Sequence, residues 1–290
     1  MKKLLLTGAS GFLGYNICKV PQREWQILAF VNKRHLAMAN VHTMHVDLTN
    51  EVLLSAAVLR EKPDAILHIA AQANPNYCQE HPQESFTVNV RATELLAQLA
   101  AQLNIPFLFT STDLVFDGKQ GNYTELDIPL PVNTYGEHKL QAEQLVMSNY
   151  PKAIICRMPL MFGNGGSQAQ SFMQPFLQKM QAGEELALFE DEYRSVLGGN
   201  SAAKGLLWAL EHFPAGIYHM GGKERLSRYE FGLRMQKVFH LPKAVIKPIS
   251  QREISMPAPR PADVSLNSAK AYALGFSPME IEEELRLLKD

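Results

Sequence analysis

The 290 residues include 28 lysines and arginines against 29 acidic residues, a formal net charge of −1, with 46% hydrophobic and 20% charged side chains. A chain of this length and balance can bury a sizeable core, and it lacks the composition of a disordered segment or a basic nucleic-acid binder. No apolar run approaches the roughly 20 residues that span a bilayer, and the opening MKKLLLTGASG has too short an apolar stretch for a signal peptide. A soluble, cytoplasmic protein with a small-molecule substrate, and with neither a membrane nor a nucleic-acid partner, is expected. Cys18, Cys78 and Cys156 are scattered, so neither a disulfide framework nor a metal site is suggested.

In chain order, β-rich apolar runs at residues 3–7, 26–31, 43–46, 65–69, 107–111 and 153–157 alternate with longer segments of helical period. One such segment, 84–103, carries Val88, Leu95, Leu96 and Leu99 and predicts a crossover helix. This rhythm predicts an α/β fold with a doubly wound, parallel Rossmann sheet. After Pro159 the pattern breaks into a stretch with Gly163, Gly165 and Gly166, a helical run at 171–181, another at 195–212, and a strand at 217–220. Residues 1–160 are therefore expected to form the large domain, joined by a returning segment near 195–220. Residues 161–290 are expected to form mainly a smaller α+β substrate domain.

The first strand runs straight into Gly8-Ala9-Ser10-Gly11-Phe12-Leu13-Gly14, which opens the first helix. Glycines there permit a tight turn and close approach of a pyrophosphate to free helix N–H groups, so this loop is read as the dinucleotide cradle. An ordinary strand-to-helix turn also favours glycine, and it is the position between strand and helix that favours the cradle. The second strand ends in Asn32-Lys33-Arg34, without the carboxylate that would accept bonds from an adenosine ribose. Those cations predict a preference for NADP, with NAD the alternative. Asp47 and Leu48, after the third strand, are placed at the adenine end, although Asp47 could equally cap the next helix.

Tyr135 and Lys139 stand four residues apart, on one face of a predicted helix. The spacing alone says little, since Tyr15 and Lys19 repeat it without polar partners nearby. Context separates the two pairs: Thr110, Ser111, Thr112 and Asp113 end the fifth strand, at the carboxyl edge where open α/β sheets bind ligands. Ketone reduction needs a proton donor at the carbonyl oxygen, and an unperturbed tyrosine, with pKa about 10, releases its proton slowly near neutrality. An ammonium at Lys139 is expected to lower that pKa, and Thr112 to hydrogen-bond the carbonyl. His138 is expected to point away from Tyr135, and Met158, Met161 and Phe162 to line the core or the pocket wall.

These residues, with His68-Ile69-Ala70-Ala71 and Asn89, resemble the extended short-chain dehydrogenase/reductase superfamily. The run Ser111-Thr112-Asp113-Leu114-Val115-Phe116-Asp117-Gly118, followed by Tyr123, Glu125, Pro129, Pro131, Tyr135-Gly136, Lys139 and Glu143, is similar to dTDP-4-dehydrorhamnose reductases. It is similar also to the regulatory β subunit of methionine adenosyltransferase. The resemblance implies cofactor contacts at Ala70, Ala71, Tyr135 and Lys139, with Asn89 holding the lysine and its water. It places Thr112, Asp113 and Asn164 on the substrate side. It implies reduction of the 4-keto group of a nucleotide-linked deoxysugar, with a related epimerase or a catalytically idle NADP-binding subunit as alternatives. Relatives often form homodimers, although the residues themselves do not fix the oligomeric state. Two departures lie near the expected sugar pocket: Leu114 replaces the usual tyrosine, and residues 191–198 replace a DQxGxPT-like segment. A polar, glycine-rich stretch with Asn164, Ser167 and Gln168 is expected to form a mobile wall of that pocket.

Overall fold

A computed structural model describes every residue except Gln22, His35, Ala37, Ala39, Asn40, Ser167, Gln168 and Asp290. Seven strands form the main sheet: β1 (Lys2–Thr7), β2 (Trp25–Val31), β3 (Val41–His45), β4 (Ala65–His68), β5 (Phe107–Thr112), β6 (Ile154–Met158) and β7 (Gly216–His219). Their order is β7-β6-β5-β4-β1-β2-β3 and every pairing is parallel. Reversal of direction at β1 opens a crevice beyond the carboxyl ends of β1 and β4, the position at which doubly wound sheets bind ligands.

Period-two burial explains the two helical layers. Leu4, Leu6, Ile27, Ala29, Leu67 and Leu108 face one core with helices α1 (Phe12–Lys19) and α5 (Gly199–His212). Leu5, Leu28, Phe30, Ile66, Phe107 and Phe109 face the other, under α2 (Glu51–Glu61), α3 (Ala92–Leu103) and α4 (Thr134–Asn149). A third core gathers Phe162, Met173, Leu186, Leu188, Phe231 and Met235 from the later chain. Residues 202–220 nevertheless supply Ala202, Leu206, Leu210, Tyr218 and Met220 to the first core. Among the described residues, no helix is long and apolar enough to cross a membrane.

Two elements differ from the periodic reading. The predicted helix at 84–103 is a short α-helix, Pro82–Phe86, a π-turn, Thr87–Arg91, and then α3. Its wider turn carries Asn89, whose buried amide clamps the Gln72 backbone: Oδ1 accepts from Gln72 N at 2.9 Å and Nδ2 donates to Gln72 O at 3.0 Å. The helical run at 171–181 becomes Met173–Ala182, closed by Gly183 in the left-handed region.

Helix α4 is fastened to β6 by a buried ion pair. Arg157 Nε donates to Glu143 Oε1 at 3.0 Å and Nη2 to Oε2 at 2.7 Å. Arg157 Nη1 also lies 3.3 Å from His219 Nε2 on β7. Leaving one such charge unpartnered costs far more than replacing both by apolar groups. Arg157→Met should therefore destabilise the fold by about 3–5 kcal/mol in urea denaturation, and adding Glu143→Leu should recover a large part of the loss. A double variant no more stable than Arg157→Met would remove the pair from its proposed role.

Candidate active site

The glycine loop forms because its backbone passes where side chains do not fit. Gly8 has φ +71°, and a Cβ there would lie 2.8 Å from Ala70 Cα; a Cβ on Gly14 would lie 2.4 Å from both Ala9 Cα and Gly8 O. Helix α1 starts at Gly11 with no side-chain cap, which leaves its first N–H groups and the positive dipole end directed at the loop. Above it lies a cavity of about 630 Å³. Gly8, Ser10, Gly11, Phe12, Leu13 and Gly14 line one stretch of it, and Asn32, Lys33, Arg34, Asp47 and Leu48 another. Ala70 and Ala71 form part of its floor, and Tyr135 and Lys139 its far end. Thr110, Ser111, Met158, Met161, Gln170 and Ser171 also line it. A cavity of this size lined by an uncapped helix end, a glycine cradle and cations fits a dinucleotide.

At the far end, α4 presents Tyr135 and Lys139 to β5. Asn133 caps this helix through Gly136 N at 2.9 Å. Lys139 is 2% exposed. Its Nζ donates to Thr110 O at 2.6 Å and sits 4.0 Å above the Phe109 ring centroid. Burial lowers its pKa to about 7, while the Glu143 carboxylate one turn along opposes that fall. Tyr135, 8% exposed, is pushed the other way. Burial first, then nearby Cys78 and Asp113, raise the phenol's pKa, and the Thr112 side chain facing it pulls it down. In this arrangement burial outweighs the acidifying effect expected of Lys139, whose Nζ is turned to Thr110 O.

Other expected residues take different positions. Thr112 does not line the cavity wall; its hydroxyl donates to Asp113 Oδ1 at 3.1 Å and accepts from Leu114 N at 3.2 Å. Asn89 lies beneath the floor in its clamp on Gln72. Asn164 is exposed and bonds Gly166 N at 2.8 Å, while Gln170 and Ser171 reach the cavity; Ser167 and Gln168 lie outside the described residues. Asp47 lines the cavity and accepts from Thr49 N and Oγ1 at 2.9 and 2.7 Å; the helix cap, its alternative role, is supplied by Asn50. His138 does turn from Tyr135, although it is packed: its Nδ1 meets Ser85 Oγ at 2.8 Å. Of the decoy pair, Lys19 lies over the Tyr15 ring at 5.6 Å on α1.

Sequence reasoning missed a buried charge cluster behind Thr112. Glu192 lies 3.2 Å from Arg194, 3.3 Å from Arg228 and 3.5 Å from Arg260, and Arg194 Nε lies 3.6 Å from Asp113 Oδ2. Asp113 Oδ2 has no hydrogen bond, and burial lifts the carboxyl to about 6, against the pull of Arg194. The three arginines come from distant segments with no common spacing, so only the altered run at 191–198 signalled them.

Folding lowers Lys139 from about 10.5 to about 7, so between those values the folded state binds fewer protons than the unfolded chain. Stability from this group is therefore gained as pH rises across that window. Relative to Lys139→Met, the wild type should gain stability from pH 7 to 10 and run parallel to the variant below pH 6. Denaturant titrations in which the difference stays constant from pH 6 to 10 would contradict the buried ammonium.

A family model described as the RmlD substrate-binding domain matches residues 1–289. The chain is 30% identical to methionine adenosyltransferase 2 subunit beta of Xenopus laevis, over 95% of this chain and 83% of that protein. It is 29% identical to a dTDP-4-dehydrorhamnose reductase of Aggregatibacter actinomycetemcomitans, over 100% and 99% of the two chains. A crystal structure of dTDP-4-dehydrorhamnose reductase from Bacillus anthracis in complex with NADP superposes with TM-score 0.89 at 23% identity, over 99% of this chain and 98% of that one, and establishes a common fold.

Proposed function

Since the chain belongs to the RmlD substrate-binding domain family, we propose that it is an NADPH-dependent reductase of a carbonyl, the 4-keto group of a nucleotide-linked deoxysugar. The observation that carries this reading is that Tyr135 and the buried Lys139 line the same cavity as the glycine loop. When bound, the dinucleotide supplies the hydride. Gly8, Gly11 and the open start of α1 would hold its pyrophosphate, with Lys33 and Arg34 toward its adenosine end.

The protein's own groups then handle the proton. Burial keeps Tyr135 protonated until negative charge develops on the substrate oxygen, when the phenol donates. The resulting phenolate lies one helical turn from Lys139, whose ammonium opposes the charge left on the ring. Thr112 contributes its hydroxyl only by leaving Asp113 Oδ1, whose other oxygen faces Arg194. A regulatory reading has one specific observation in its favour, the 30% identity to the β subunit, which spans nearly the whole chain. The intact Tyr135, Lys139 and Thr112 favour catalysis, since a binding-only subunit has no need of a proton donor.

Two outcomes test this. Tyr135→Phe keeps the ring, so NADPH binding should persist while turnover of a dTDP-4-keto-6-deoxysugar falls by about a hundredfold or more. A wild type that binds NADPH, reduces no such sugar and captures a methionine adenosyltransferase catalytic subunit would favour the regulatory reading. Fluorescence titration should show NADPH bound more tightly than NADH, with Lys33→Asp shifting the preference toward NADH; equal affinities in the wild type would remove the NADP assignment.

A further inference from the structure

His68 ends β4, fully buried, with its ring stacked against Phe107 and Phe109. Hydrogen-bond accounting fixes its tautomer. Thr7 Oγ1 accepts from Ile69 N and from Ala70 N, both at 3.2 Å, which occupies its two lone pairs. Its proton must therefore go to His68 Nδ1, 2.6 Å away. With Nδ1 an acceptor, a neutral ring carries its hydrogen on Nε2, which donates to Thr93 Oγ1 at 2.9 Å. Thr93 in turn donates to Asn89 O at 2.8 Å. Neutrality suits the surroundings: burial and the neighbouring Lys139 hold the ring's pKa down to about 3.

The two ends of this chain are functionally distinct places. Thr7 immediately precedes Gly8 and latches the backbone of Ile69 and Ala70, so its end belongs to the loop lining the glycine cradle. Thr93, in the first turn of α3, passes the chain to Asn89 in the π-turn that borders the Tyr135–Lys139 end, where Val88 lines the cavity. Every link runs in one direction, Thr7 to His68 to Thr93 to Asn89, and every donor in it meets an acceptor.

We propose that His68 is a positioning residue: as a neutral, Nε2-protonated imidazole it joins the glycine-loop turn to the π-turn by one directed chain of hydrogen bonds. The two ends of the dinucleotide cavity are thereby held at a fixed separation. This rests on the dinucleotide reading of the cavity, so the test has one arm that needs no ligand.

Nitrogen-15 NMR of histidine-labelled full-length protein should find the His68 ring protonated at Nε2 alone, unchanged from pH 5 to 9. An Nδ1-protonated or doubly protonated ring would overturn the proposal. The second arm is a cycle with Thr7→Val and Thr93→Val, whose side chains meet only through the imidazole. In the His68 protein the double variant's loss of NADPH affinity should depart from the product of the single losses by about threefold or more. In a His68→Phe background, which keeps an aromatic ring without the bonds, the two losses should multiply independently. Independent losses with His68 present would overturn the proposal, whether or not His68→Phe folds. If the wild type binds neither NADPH nor NADH, the cofactor reading fails; the cycle is then read in the urea midpoint, where the same non-additivity is expected and strict additivity rejects the chain.

Discussion

The structure depends on keeping an ammonium group inside the protein. Lys139 is almost wholly removed from water, and a charge so placed survives only where local groups replace its hydration. The carbonyl of Thr110 and the face of Phe109 do so directly. Glu143 adds an opposite charge one turn further along the same helix, and that carboxylate is itself buried and needs Arg157. Arg157 reaches His219 on the edge strand β7, a segment that arrives sixty residues later. The reactive end of the cavity thus rests on charges carried by α4 and β6, and the neutral His219 ring on β7 meets the last of them.

A second set of constraints holds the opposite end. There the backbone comes so close to itself that Gly8 and Gly14 have no room for side chains, and the start of α1 is left with its N–H groups uncapped. Such an end has little to stabilise it until an anion arrives, which suits a binding loop. The two ends are 130 residues apart in sequence and meet only because β1, β4 and β5 are neighbours in a parallel sheet. Behind Thr112, a carboxylate surrounded by three arginines occupies the region where residues 191–198 depart from the reductase pattern.

Much of this was legible in the sequence because its causes are local. Strands buried on both faces must be apolar runs, so β1, β2, β4, β5 and β6 were readable from composition and spacing, and the edge strands β3 and β7 from short runs near their true bounds. The glycine loop was readable because close backbone approach admits little else. Tyr135 could be told from Tyr15 only by the polar strand end beside it; in the structure Lys139 is enclosed by β5, whereas Lys19 is exposed on α1. What was not legible depends on distant partners. A π-turn has no pattern of its own within a helical run, and its clamp, Asn89 on Gln72, spans 17 residues. The Glu192 cluster combines side chains from three separated segments. The direction of the Tyr135 pKa shift follows from burial and from Asp113 and Cys78, none of which the tyrosine–lysine spacing encodes.

The central claim is that this cavity carries hydride transfer to a carbonyl carbon. The most direct measurement is to incubate the purified protein with NADPH deuterated at the transferring position of the nicotinamide and a dTDP-4-keto-6-deoxysugar, and to examine the sugar by NMR and mass spectrometry. The account predicts one deuterium on carbon 4 of the product, with a matching loss from the cofactor. Saturating NADPH with no deuterium on the sugar, across both possible labelled faces of the nicotinamide, would contradict it.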